Sequence, residues 1–364
     1  MIAVYVSGHG YGHATRTAEV LRVLRAHAPE LPIAVATSAP PSLFEGLVAP
    51  PLTVRGLECD VGVAQRDALV VDEGATVERW LAFRAGFSEL VEREAIWLRA
   101  SGARAVLGDV PPLAFAAAAE AGVPGLALAN FSWDWIYRHL SRRQPALAAA
   151  AEEAATAYGR ADLLLKLPFA GDLAAFPRAL DIPLVARRPR VSKVEARRRL
   201  GLDPGRRTVL LSFGGVGMPG LSPASFAPLR EYQLVLTGPA GSDPAPPNLR
   251  RLEGEALAAV ALGYIDLVGA ADVVVSKPGY GIVSDCIGAG TRLVYTDRGD
   301  FPEYPILVRE MGRYLPAVHV GNDDVRSGRL REAVERVLSL PLPTPPDLSG
   351  AEVAARRLLE VAAR

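Results

Sequence analysis

The sequence predicts an α/β protein built from two doubly wound, Rossmann-like domains. Three observations carry this. Short apolar runs alternate with amphipathic helical patterns along all 364 residues, as βαβ units over a parallel sheet do. The alternation breaks in a Pro- and Arg-rich stretch from Ile182 to Arg190 that has no clean period. It then restarts at Thr208-Val209-Leu210-Leu211-Ser212-Phe213-Gly214-Gly215, an apolar strand running into glycines much as the chain opens. A boundary near residue 190 gives domains 1–190 and 191–346, with a C-terminal helix at 347–364 that crosses back. In paired folds of this class, ligands bind at the carboxyl ends of the strands, in the cleft where the domains face each other.

The elements follow from pattern. Strands are expected at residues 2–7, 33–37, 105–108, 125–130 and 163–166, all short runs of the kind buried in parallel sheets. The first helix starts near His13 and places Ala14, Ala18, Leu21 and Leu24 on one face. A long helix is expected over 78–98 and a shorter one over 113–121, before Gly122-Val123-Pro124. After the seam, a helix over 193–200 closes at Gly201, a C-terminal stop. Strands at 232–237, 272–276 and 292–296 alternate with helices at 282–288, 306–310 and 326–340. A Pro-rich link (341–346) precedes a last helix over 351–362.

Composition excludes several classes. Lys+Arg and Asp+Glu are 40 each, so the formal net charge is zero, and half of the residues are apolar. That argues against a charge-driven nucleic-acid binder. Basic charge is nearly all arginine, Lys166, Lys193 and Lys277 being the lysines. With the abundance of Ala, Pro and Gly this reads as a GC-rich, bacterial composition, so single arginines receive little functional weight. Two cysteines, Cys59 and Cys286, are too few for a disulfide framework and suit a reducing, cytoplasmic compartment. Met1 leads straight into a strand, so no export signal is expected, and no apolar run approaches about 18 residues. Arg187, Arg188, Arg190, Arg197, Arg198 and Arg199 make a basic stretch at the seam. It reads as a solvated surface in preference to a membrane contact.

Five constellations carry chemistry. The first is the opening turn, Gly8-His9-Gly10-Tyr11-Gly12-His13, where glycines admit a ligand close to the backbone and two histidines supply groups that titrate near neutrality. It is not a dinucleotide fingerprint, whose third glycine comes one position later, and no acidic residue follows the second strand. His13, then His9, is the candidate proton carrier, with Gly10 and Tyr11 beside it. The second is Ser276-Lys277-Pro278-Gly279-Tyr280-Gly281-Ile282-Val283-Ser284-Asp285, a strand, glycine turn and helix whose first N–H groups suit a diphosphate. Asp285 is placed to accept from a ribose diol. The third is Phe213-Gly214-Gly215-Val216-Gly217, another glycine turn after a strand. The fourth, Asp297 to Glu303, offers Asp300 and Glu303 for sugar hydroxyls. The fifth, Asn130-Phe131-Ser132-Trp133-Asp134-Trp135 with Asp109 nearby, puts aromatic faces beside polar groups, as a sugar or amphipathic acceptor requires. No Asp-x-Asp and no His/Cys/carboxylate cluster with metal spacing occurs, so no metal and no cofactor is expected.

Taken in order, these pieces resemble the GT-B glycosyltransferases, particularly the lipid-II-forming N-acetylglucosaminyltransferase family. Locally, Gly8 to Arg16, Asn130 to Asp134 and Gly279 to Asp285 are similar to the N-terminal, glycosyltransferase-like region of L-arabinokinase, without the sugar-kinase domain that follows there. The resemblance implies a nucleotide diphosphate sugar donor, UDP-linked, bound by the second domain, and an acceptor (small molecule, glycan or lipid) bound by the first. It matches His13 to the family's histidine beside the reacting centre and Gly279 to Ser284 to the diphosphate turn. Asp285 matches a ribose-binding carboxylate that is usually glutamate. Retaining members carry a pair of glutamates at the spacing of Lys277 and Asp285, so the resemblance implies inversion. Two alternatives stand beside this: a non-hydrolysing UDP-N-acetylglucosamine 2-epimerase, and a non-catalytic sugar-nucleotide-binding subunit.

Overall fold

The computed structural model describes every residue except Ala68 and Val216, so Val216 of the Phe213–Gly217 turn lies outside the described residues. The chain forms two compact units. One holds Met1–Ala64, Val71–Val185 and Asp347–Arg364, and the other holds Gln65–Val70 and Ala186–Pro346.

In the first unit the elements run β1 (Ile2–Val6), α1 (Tyr11–His27), β2 (Ile33–Thr37), α2 (Ser42–Glu45), β3 (Leu52–Gly56), α3 (Glu73–Ala85), α4 (Phe87–Ala100), β4 (Ala105–Asp109), α5 (Pro112–Ala121), β5 (Gly125–Ala129), α6 (Trp133–Leu140), α7 (Leu147–Tyr158), β6 (Leu163–Lys166) and β7 (Ala179–Asp181). Its sheet has the order β3-β2-β1-β4-β5-β6-β7, and every neighbouring pair is parallel. Every residue of β1, β2, β4 and β5 is buried, which is why these strands read as unbroken apolar runs.

The second unit continues with α8 (Lys193–Leu200), β8 (Arg207–Ser212), β9 (Tyr232–Thr237), β10 (Leu249–Arg251), α9 (Gly254–Ala259), α10 (Tyr264–Ala270), β11 (Val273–Ser276), α11 (Tyr280–Ala289), β12 (Arg292–Tyr295), α12 (Glu303–Met311), β13 (Ala317–His319), α13 (Asn322–Arg326) and α14 (Arg331–Ser339). Its sheet, β10-β9-β8-β11-β12-β13, is also parallel throughout. The last helix, α15 (Gly350–Ala362), belongs to the first unit and packs on α1 and β4. It buries Ala351, Ala354, Ala355, Leu358 and Ala362, an i, i+3, i+4 stripe that its sequence pattern already marks.

Both sheets reverse their winding at one place. In the first unit β1 lies between β2 and β4, and in the second β8 lies between β9 and β11. Loops leaving the carboxyl ends of β1 and β4, and of β8 and β11, therefore diverge to opposite faces and open a crevice in each sheet.

Several local expectations are corrected. The helix expected over 78–98 is two helices, α3 and α4, broken at Gly86. The segment after Asn130, given no element in the sequence reading, is helical from Trp133, where α6 starts. The seam arginines are mostly ion-paired. Arg187 pairs with Asp285, Arg190 with Asp266, Arg197 with Asp272, and Arg198 and Arg199 with Glu195. These carboxylates cancel the charge that a membrane or nucleic acid would need. Among the described residues no helix is long and apolar enough to cross a membrane.

Candidate functional site

In the first unit the crevice at β1 and β4 holds a buried polar network. Gly10 sits at φ 79°, which a glycine adopts without strain, and α1 starts immediately after it. The first turn of α1 carries His13, which is 7% exposed. Its Nδ1 lies 2.9 Å from Oδ1 of Asp109, the last residue of β4. Arg16, one turn further along α1, donates from Nη2 to the same oxygen at 2.5 Å and from Nε to Oδ2 at 2.8 Å. Thr17 Oγ1 donates to Oδ2 at 2.6 Å, and Arg16 Nη1 donates to Asn130 Oδ1 at 2.7 Å. Burial of Asp109 opposes its ionisation, but the Arg16 and His13 charges and hydrogen bonds prevail, lowering its pKa to about 2. Val110 follows at φ 81°, a costly conformation for a β-branched residue, and Tyr158 Oη donates to its carbonyl at 2.7 Å. Nδ1 of His13 lies between Asp109 Oδ1 and Arg16 Nη2, the latter 3.1 Å away; in the tautomer that donates from Nδ1 to Asp109, the Nε2 lone pair stays open.

Beside this lies a second buried carboxylate. Asp60 accepts from Trp133 Nε1 at 2.7 Å and from Ser7 Oγ at 3.0 Å. Burial raises its pKa to about 6, against the lowering effect of those two hydrogen bonds. His9 stands edge-on to Trp133 with ring centroids 5.3 Å apart. It also lies against the backbone of Gly62, where a Cβ would come within 2.8 Å of the imidazole. His9 thus packs against Trp133 and Gly62, while His13 is joined to Asp109 and Arg16.

The structure redistributes the expected acceptor contacts. Gly10 and Tyr11 are exposed and stay available. Asp109 and Asn130 are fully buried, and each is held by Arg16. Trp133 is also fully buried and hydrogen-bonds Asp60, while Asp134 is 2% exposed beside Arg138. The side chains of these four are engaged within the first unit, by Arg16, Asp60 and Arg138.

In the second unit the corresponding crevice lies at β8 and β11. Gly214 and Gly215 are exposed after β8, with Gly214 at φ 77°. Ser276 ends β11 and donates from Oγ to the Ser212 carbonyl at 2.6 Å, stitching the two strands together. Gly279 is the N-cap of α11 and supplies no side-chain cap, so the first N–H groups of that helix keep their capacity for an anion. Tyr280 is buried at the first turn and Gly281 is half-buried. Lys277 stands beside this turn with its pKa lowered to about 8, by burial first and then by the Arg298 charge, while Asp67 and Glu303 oppose the shift. Arg298 donates from Nη1 to Glu303 Oε2 at 2.6 Å and to the Pro278 carbonyl at 3.2 Å, and its guanidinium lies 4.2 Å from the centre of the Phe301 ring.

Three of the expected donor residues have partners within the second unit. Asp285 is 4% exposed, and Arg187 takes both of its oxygens, at 3.0 and 2.5 Å. The pair orients the Asp285 carboxylate, and each oxygen keeps a further lone pair. Glu303 is 3% exposed and holds Arg298, and Ser284 turns its hydroxyl back to the Gly281 carbonyl. Asp300 is exposed.

No family model matches the sequence. L-arabinokinase of Arabidopsis thaliana is 32% identical over 371 residues, spanning all of this chain and 34% of that protein. The chain thus spans about a third of the length of the curated relative it matches. Among solved structures, a UDP-glucosyltransferase from Polygonum tinctorium capable of glucosylating indoxyl has a TM-score of 0.62 at 14% identity, over 100% of this chain and 93% of that one. The glycosyltransferase VinC, solved in complex with dTDP, has a TM-score of 0.57 at 16% identity, over 100% and 95% of the two chains. The fold is GT-B. Within this GT-B chain, the residues that sequence reasoning passed over are mostly arginines and one aspartate: Arg16, Arg187, Arg298 and Asp60. Arg16 had a readable signal, since it lies at i+3 from His13 and so shares its helix face. Asp60 had none, because it sits in an aperiodic segment.

Proposed function

We propose that this chain is an inverting glycosyltransferase that moves a sugar from a nucleoside diphosphate sugar to an acceptor hydroxyl. The observation that carries the reading is the His13–Asp109 pair, which supplies a buried, oriented imidazole at the first unit's crevice. In one in-line displacement the acceptor oxygen forms a bond to the anomeric carbon as the bond to the diphosphate oxygen breaks. The acceptor proton passes to His13 Nε2, and Asp109 steadies the imidazolium that results. A single displacement inverts the anomeric centre. The negative charge on the departing diphosphate is met by the N–H groups at the start of α11 with Lys277 and Arg298 beside them, so the reading assigns no metal.

The similar solved structures include a UDP-glucosyltransferase and a dTDP complex, which supports a pyrimidine nucleoside diphosphate as donor, UDP first. A thermal-shift panel of UDP, dTDP, CDP, GDP and their sugars tests this. A ligand at a hundred times its Kd adds about 2.7 kcal/mol to the stability of the unit that binds it. One diphosphate should raise the unfolding temperature well above the rest. A panel in which no nucleoside diphosphate shifts the transition at millimolar concentration removes the reading.

A further inference from the structure

Trp133 and Trp135 were both expected at an acceptor, and the structure separates them. α6 turns Trp133, Ile136, Tyr137 and Leu140 inward, all buried. Trp135, Arg138 and His139 occupy the other face, and Arg142 continues that stripe one turn on. The Trp135 ring lies against the backbone of Gly171, where a Cβ would sit 2.3 Å from the indole. Trp135, Arg138, His139, Arg142 and Asp172 line a cavity of about 240 Å³. Because the sheet is parallel, α6 (after β5) and Gly171-Asp172 (after β6) rise from its carboxyl edge, the edge that also carries His13 and Asp109.

The lining suits one kind of ligand. An indole face accepts the C–H face of a sugar ring. Around it stand guanidinium donors, an imidazole and a carboxylate, the mixture of donors and acceptors that neighbouring hydroxyls satisfy. Arg138 is oriented by Asp134, 3.5 Å away. The Arg142 side chain makes no hydrogen bond or ion pair among the described residues and remains available. The Arg charges are balanced by Asp172 and Asp134, which disfavours a simple anion site. The volume is below the roughly 300–1,000 Å³ of drug-sized sites and is sufficient for one ring.

We propose that this pocket binds a single sugar ring, stacked on Trp135, as part of a carbohydrate acceptor. The acceptor role rests on the glycosyltransferase reading; the binding itself does not. Saturation-transfer NMR on the full chain, with free hexoses and pentoses at millimolar concentration and phenyl phosphate as an anionic control, tests it. At least one sugar should show enhancement of its ring C–H protons. Trp135→Ala should reduce that enhancement at least fivefold, while Trp135→Phe retains it. Arg142→Ala and Asp172→Asn, both at exposed positions, should weaken saturation severalfold and stand in if Trp135→Ala does not fold. Absence of any sugar signal, a signal indifferent to these variants, or response to phenyl phosphate alone overturns the proposal. Sugar binding by a chain that binds no nucleoside diphosphate would leave the pocket standing and remove the acceptor role.

Discussion

Asp109 is fully buried, accepts from Arg16 and Thr17 and lies beside His13 Nδ1, so the balance of charge around it decides what His13 can do. Arg16 neutralises the carboxylate and fixes its plane through two parallel contacts, a geometry lysine cannot reproduce. Arg16→Met leaves a buried carboxylate without its main counter-charge, and chemical denaturation should show a loss of about 3–5 kcal/mol. Asp60 behaves oppositely with pH. Its folded pKa of about 6 lies above the ordinary value of about 4. Its contribution to stability is therefore complete below pH of about 4 and is lost as pH rises through about 6. Asp109, whose pKa is lowered to about 2, contributes above about 4 and loses that contribution as pH falls towards 2. Asp60→Asn can still accept from Trp133 and donate to Ser7. Melting curves from pH 4 to 7 should show a downward drift in the parent that this variant flattens.

At the scale of elements, the bidentate Arg187–Asp285 pair ties the segment entering the second unit to α11. Arg187→Ala should destabilise the second unit by about 3 kcal/mol or more, because Asp285 then stays buried and unpaired; calorimetry of the variant checks this. A fall of under about 0.5 kcal/mol would make the pair a surface contact. Elements were legible where burial is complete on both faces. The sequence bounds for β2, β6 and β9 coincide with the structure, and those for β1 differ by one residue. β3 was missed because half-exposed and exposed residues interrupt it, and β7, β10 and β13 because three residues carry no period. α7 was missed because its alanine-rich sequence shows little contrast between faces. In the candidate site, the glycine turns led to the crevices where each sheet reverses its winding. The partners within them were hidden because arginine is common throughout this chain, and because whether a carboxylate faces a ligand or a guanidinium depends on pairing across segments far apart in sequence.

At the scale of the whole molecule, the chain repeats one device. Each unit is a parallel sheet wound outwards from its first strand, with a glycine turn at its reversal point and polar side chains gathered there. The two crevices are chemically unlike. The first holds a histidine, an arginine and two buried carboxylates, which suits proton transfer, and the second gathers cations around an uncapped helix start, which suits a diphosphate. α15 returns to cover α1 in the first unit, so sequence from both ends of the chain supports the helix that carries His13.

That division of labour is tested most directly by His13→Ala, with sugar transfer and nucleoside diphosphate affinity measured on the same preparation. Loss of a general base should lower transfer by about 10²–10⁴-fold, while calorimetric affinity for the diphosphate stays within twofold of the parent. Transfer at the parent rate, or loss of nucleotide affinity in step with activity, would contradict the assignment of the proton to the first unit and the phosphates to the second.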